Sequence, residues 1–237
     1  MHFLNYGASS TNAGDLALPS GLTSIGKKAF SGAKLKGNLV IPSSVAFMGD
    51  SAFQSAYADT DKSNMGMLSF ENGSKLTSIP AYAFDKCLAF KGSIVIPEGV
   101  TSIGQYAFEK CSGMDGTLSL PSGLETIGNY AFSECSMLTG GITLPDTLTQ
   151  LGTHTFNKCS NINGDLILSK NLKNIPQAAF SGCAKMIGSV DIPEGVQKIN
   201  ANAFQGCSSL NGTLTIPETV DTIGAYAFDQ CSLLTGT

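Results

Sequence analysis

The chain has 237 residues, of which 42% are hydrophobic and only 14% charged, with 27 glycines and no tryptophan, a composition unusual for a catalytic α/β domain and suggestive of something periodic. Its net charge of -4 lacks the basic footprint that nucleic-acid binding needs. No run of about 18 apolar residues exists to span a bilayer, and the opening MHFLNYGASSTNAG has neither a charged nor an apolar leader region, so no membrane insertion of this segment is expected.

In chain order, residues 1–13 are expected to be the tail of a partial N-terminal repeat, and a repeat solenoid is expected over 14–237. GDLALPSGLTSIGKKAF and GNLVIPSSVAFMGDSAF open it as two shortened units. YADTDKSNMGM, residues 57–67, then leaves the pattern as an insertion loop, and the next unit runs from Met67 to Phe84 with two extra residues at its bend. From there the period is constant: Cys87, Cys111, Cys135, Cys159, Cys183, Cys207 and Cys231 fall 24 residues apart, in step with Phe84, Phe108, Phe132, Phe156, Phe180, Phe204 and Phe228. A fixed period of this length predicts a solenoid of about nine coils of 23–24 residues, each burying its apolar face against its neighbours.

Within one unit, GTLSLP alternates apolar Leu118 and Leu120 with Thr117 and Ser119, which predicts a strand with one face buried, ended by Pro121. SGLETIG carries Leu124 and Ile127 inward around a bend. NYAFSEC places Ala131, Phe132 and Cys135 at helical spacing, which predicts a short helix or 3₁₀ turn. The fold class expected is therefore α/β: a parallel β-sheet on one face of the solenoid and short helical turns on the other.

The units IPEGVTSIGQYAFEKCSGM, LPSGLETIGNYAFSECSML and IPETVDTIGAYAFDQCSLL resemble the BspA-type leucine-rich repeats of bacterial and protozoan surface proteins. The resemblance implies a leucine-rich-repeat superhelix and a cell-surface or secreted protein that binds a protein ligand, on a host or neighbouring cell, or a glycan. It implies no catalytic residues and no cofactor.

Candidate sites follow from the repeat rows. One cysteine per coil lines sulfurs up rather than converging them on zinc, and Ala33 and Ala56 replace cysteine in the two early units, so the cysteine and phenylalanine rows are expected to be a buried structural ladder. Disulfides between coils would be strained, because stacked side chains point in parallel. His2 and His154 are the only histidines, and no nucleophile, acid and base converge around either, so no enzyme is expected. Tyr82, Tyr106, Tyr130 and His154 occupy one repeat position in four consecutive coils. They are the candidate ligand-binding strip, an alternative being rings that merely cover the core edge. DTDKSN faintly echoes a calcium loop but lacks the sharp-turn Gly and the closing Glu, so a solvated loop and no metal are expected. The outward strand residues, among them Ser93, Val95, Thr117 and Ser119, form a second candidate face. Asn72 and Asn211 begin glycosylation sequons that also lie in Gly-containing turns. No distinct cap follows CSLLTG, which suggests a segment of a longer protein. A purely structural spacer is the alternative to a binding role.

Overall fold

A computed structural model describes residues 16–236; the partial repeat expected at 1–13 lies outside them. The coils stack into one parallel β-solenoid around a single core. Each coil has three sides. The first is the expected strand, shortened to two or three residues in most coils: Ile94–Val95 pairs with Leu118–Ser119, Ile142–Thr143 with Leu166–Ile167, and Val190–Asp191 with Thr213–Thr215.

The second side corrects the sequence reading. The segment taken as a bend is itself a strand, recurring from Ser24–Ile25 and Phe47–Met48 through Ser78–Ile79, Ser102–Ile103, Thr126–Ile127 and Gln150–Leu151 to Asn174–Ile175, Lys198–Ile199 and Thr222–Ile223. This second ladder is interrupted before Ser78 and before Asn174. In other coils the residue after the buried Ile donates its N–H to the preceding coil, as Gly104 does to Ile79 O and Gly128 to Ile103 O, each at 2.8 Å. Pro80 and Pro176 stand at that position in the two interrupted coils and have no N–H to give. Glycine stands there in the others, except for Asn200, and a Cβ on Gly104 or Gly128 would lie 2.5 Å from the backbone nitrogen of Ala81 or Gln105.

The third side overturns the helical expectation. Among the described residues the only helix is a 3₁₀ turn at Lys62–Asn64, inside the insertion. The AF-x-x-C segments are successive β-turns. In one coil Ala83 N donates to Pro80 O, Asp85 N to Tyr82 O and Cys87 N to Phe84 O, while the intervening Tyr82, Phe84 and Lys86 donate to Gln105 O, Ala107 O and Glu109 O of the next coil at 3.0, 2.8 and 2.7 Å. Alternate N–H groups thus tie the turn and tie the stack; an α-helix would turn them all inward along its own axis and leave none for the neighbouring coil. The arrangement needs positive φ at two positions per coil, and Tyr82 and Lys86 both sit at 58°.

Inside, nine phenylalanines from Phe30 to Phe228 form one continuous stack with centroids 4.9–5.7 Å apart. Where the insertion widens the coil, Tyr57 and Phe90 pack at 4.4 Å and Phe70 and Phe90 set their rings edge-on to Phe84. Tyr57 is therefore core, and the exposed part of the insertion is shorter than its sequence limits suggest.

Candidate functional site

The left-handed backbone at the first turn position swings its side chain outward and along the stack. Tyr82, Tyr106, Tyr130 and His154 consequently lie face to face, with centroids 4.8, 4.9 and 4.5 Å apart and planes within 9°. All four are half-buried. Each interior ring has both faces covered by its neighbours, so the strip presents ring edges and hydroxyls. Burial lowers the proton affinity of His154, whose Nδ1 has no hydrogen-bond partner. Ala178 and Asn202 follow at the same position and end the strip, leaving Tyr226 apart and 66% exposed.

Beside the strip, a shallow groove of about 690 Å³ runs along the outer face of the second ladder, lined by Phe47, Ser78, Ser102, Thr126 and Gln150 among others. Its floor is small hydroxyl-bearing side chains, and Phe47, 59% exposed, stands at one end where the ladder is interrupted before Ser78. Between groove and strip lie Gln105, Asn129 and Thr153, polar without charge, while Lys27 and Asp50 line the groove near Phe47. Sequence reasoning missed this groove because it had read the second strand as a bend.

The cysteines all carry free thiols; six are buried and Cys231 is half-buried. Each donates to the carbonyl of a phenylalanine in the preceding coil: Cys87 to Phe53, Cys111 to Phe84, Cys135 to Phe108, Cys159 to Phe132, Cys183 to Phe156, Cys207 to Phe180 and Cys231 to Phe204, at 3.0–3.2 Å. That carbonyl already accepts the N–H of its own turn, so the thiol fills its second lone pair. Burial pushes the Cys87, Cys135 and Cys183 thiols up to about 12, which removes them from thiolate chemistry.

The insertion closes on itself: Asp59 accepts from Asp61 N and Asn64 Nδ2, and Asp61 accepts from Ser63 N and Oγ, at 2.8–2.9 Å. Those bonds hold the Asp61 carboxyl below its ordinary range. Among the described residues no three His, Cys, Asp or Glu side chains are grouped to hold a metal ion. On the first strand face, exposed Val40, Val95 and Ile167 stand singly among Ser, Thr and Asp, and Ser93 and Ser189 hydrogen-bond with Thr117 and Thr213 of the next coil. The Asn211 side chain accepts from Gly188 N at 3.1 Å, and Asn72 is exposed in a turn.

A solenoid of short parallel strands, with hydroxyl, amide, thiol and phenyl rows in register, defines a leucine-rich-repeat protein. The BspA type leucine rich repeat region matches residues 5–69, 77–211 and 140–236, and the chain belongs to that family. Among solved structures it is similar to a leucine-rich repeat protein from Bacteroides ovatus, at 25% identity and TM-score 0.52, over 90% of this chain and 63% of that one. It is also similar to the Treponema pallidum (T. pallidum) leucine rich repeat protein, at 24% identity and TM-score 0.54, over 80% and 72% of the two chains. The pneumococcal vaccine antigen PcpA shares the fold at 21% identity and TM-score 0.60, over 91% of this chain and 56% of its own. The chain thus spans less than two thirds of the Bacteroides and pneumococcal proteins. No curated protein matches it in sequence. Among the described residues no helix is long and apolar enough to cross a membrane.

Proposed function

We propose that this chain is a non-catalytic binding segment of a cell-surface or secreted protein, holding a protein ligand along the second ladder. The observation that carries the reading is the groove beside the Tyr82, Tyr106, Tyr130 and His154 strip, with uncharged Ser78, Ser102, Thr126 and Gln150 along its floor and exposed Phe47, with Lys27 and Asp50 near it, at one end. An aromatic anchor beside a small, uncharged floor suits a protein surface, which docks a few large side chains into shape-matched ground. A glycan fits less well, because sugars seat on open aromatic faces and the strip's interior faces are already stacked. Membership of the family and likeness to a vaccine antigen, a molecule that antibodies must reach, support a surface location.

The test is biolayer interferometry of the chain against purified extracellular proteins and glycans, with Phe47→Ala, Thr126→Arg and the double variant Tyr106→Asn with Tyr130→Asn. Asparagine keeps the left-handed backbone, as Asn202 does natively at φ 59°, so the double variant tests the rings. Binding of a protein that Thr126→Arg weakens at least tenfold supports the reading. Silence from every probe, or binding indifferent to all three variants, favours the alternative, a solenoid that only spaces other domains.

A further inference from the structure

The position after the core phenylalanine carries Gln54, Asp85, Glu109 and Ser133 in successive coils. Asp85 is only 1% exposed. Its Oδ2 accepts from Gln54 Nε2 of the preceding coil at 2.9 Å and lies 3.8 Å from Lys86 Nζ. Its Oδ1 is buried and has no donor. A buried carboxylate oxygen without a donor is costly enough that a protein of this regularity requires an explanation for it. The same Gln-to-Asp bond recurs at Gln205 and Asp229, at 3.0 Å, but Asp229 is less buried and has no orphaned oxygen. What distinguishes Asp85 is its next neighbour. Lys86 N donates to Glu109 O, which sets Asp85 and Glu109 side by side in adjacent coils, and Gln54 occupies the opposite side of the Asp85 carboxylate. The Glu109 side chain is itself only 14% exposed.

We propose that Glu109 carries a proton and donates it to Asp85 Oδ1, so that an acid–carboxylate pair fastens the third coil to the fourth and loosens as the proton leaves. The proton satisfies the orphaned oxygen and spares two adjacent, poorly solvated carboxylates from ionising together. Every charged neighbour enters this balance. Burial first, and then the Asp85 charge, raise the proton affinity of Glu109; Lys110 and Lys86 oppose them, and Glu134 of the next coil adds to them. Tyr106, stacked between Tyr82 and Tyr130, has its own proton affinity raised by burial, by those two phenols and by Glu109 and Asp85, which places its hydroxyl within reach of the pair's charge. The latch therefore lies beside the aromatic strip, whether or not the strip binds anything. The sign follows from linkage. Glu109 binds its proton more tightly folded than unfolded, so the pair stabilises the fold at mildly acidic pH and that stability is lost as pH rises through the raised midpoint.

The experiment is a carboxyl-resolved NMR titration of the whole chain, with urea unfolding at pH 5 and pH 7, for the wild type, Glu109→Gln and Asp85→Asn. The Glu109 midpoint is expected above those of the exposed glutamates and to fall back in Asp85→Asn. Glu109→Gln supplies a permanent amide donor, so it is expected to fold and to lack the acid-side gain seen in the wild type. Comparison with that variant cancels every other titrating group. A Glu109 midpoint unchanged by Asp85→Asn, or the same pH dependence in wild type and Glu109→Gln, overturns the proposal. Should Asp85→Asn fail to fold, the wild-type midpoint and the Glu109→Gln comparison decide it.

Discussion

Truncating one ring of the phenylalanine stack should show how far this protein behaves as a one-dimensional assembly. Phe132 is fully buried and stacks on Phe108 at 5.2 Å and on Phe156 at 5.4 Å. Replacing a buried Phe by Ala costs about 3–5 kcal/mol through lost transfer energy and the residual cavity. Both faces of Phe132 lose an aromatic partner, so the upper end, about 5 kcal/mol, is expected. Phe228 is half-buried and stacks on Phe204 alone among the described residues, so the same change there should cost roughly half as much. Phe132→Leu keeps most of the volume and should cost below about 2 kcal/mol. Set against a typical total of about 5–15 kcal/mol, the central loss is large. Because each coil touches only its neighbours, Phe132→Ala should also split or broaden the urea transition, whereas Phe228→Ala should only shift it. Far-UV circular dichroism in urea reads both effects. Equal losses at the two positions, or a central loss under about 2 kcal/mol, would refute the nearest-neighbour reasoning.

Three further outcomes follow from named contacts. On the native protein a thiol reagent should label Cys231 first and leave the six buried cysteines unmodified until urea is added; Cys135→Ala should cost about 1–2 kcal/mol and Cys135→Ser less, since a hydroxyl still donates to the Phe108 carbonyl. Gly128→Ala should destabilise clearly, its Cβ meeting the Gln105 nitrogen at 2.5 Å, while Gly123→Ala, with nothing within 4 Å, should be neutral or slightly stabilising in the same melt. His154 is held below its ordinary 6.5 by burial, so the unfolded chain takes up that proton first and stability falls on acidification; His154→Tyr, matching Tyr130 beside it, should remove this loss in urea melts at pH 5 and pH 7.

The period of the chain, the inward rows and the outward turn of Tyr82 through His154 were legible because each recurs at a fixed offset. The helix was misread for a physical reason. Ala131, Phe132 and Cys135 return to one side at a spacing that a helix shares with consecutive β-turns, and periodicity alone does not separate the two. A signal was present: Gly32, Gly182 and Gly206 stand where other coils carry Lys or Glu, and Asn202 stands where others carry Tyr, substitutions that mark positive φ. The groove was hidden with the second strand, whose two-residue rungs are too short to show alternation. Asp85 was unreadable in sequence, since nothing in its spacing says that a polar position is closed over in one coil and open in another.

The alternating hydrogen bonds of the turn side have a mechanical consequence. On all three sides the bonds between coils run along the axis of the stack, so tension applied end to end loads them in series and coils should peel off one at a time at modest force. Pro80 and Pro176 each delete one such bond. Under pulling, the solenoid should part first where a ladder is interrupted, at those two junctions and where Leu118–Ser119 does not pair with Ile142–Thr143 or Leu166–Ile167 with Val190–Asp191, yielding blocks of coils that snap back when the load is released.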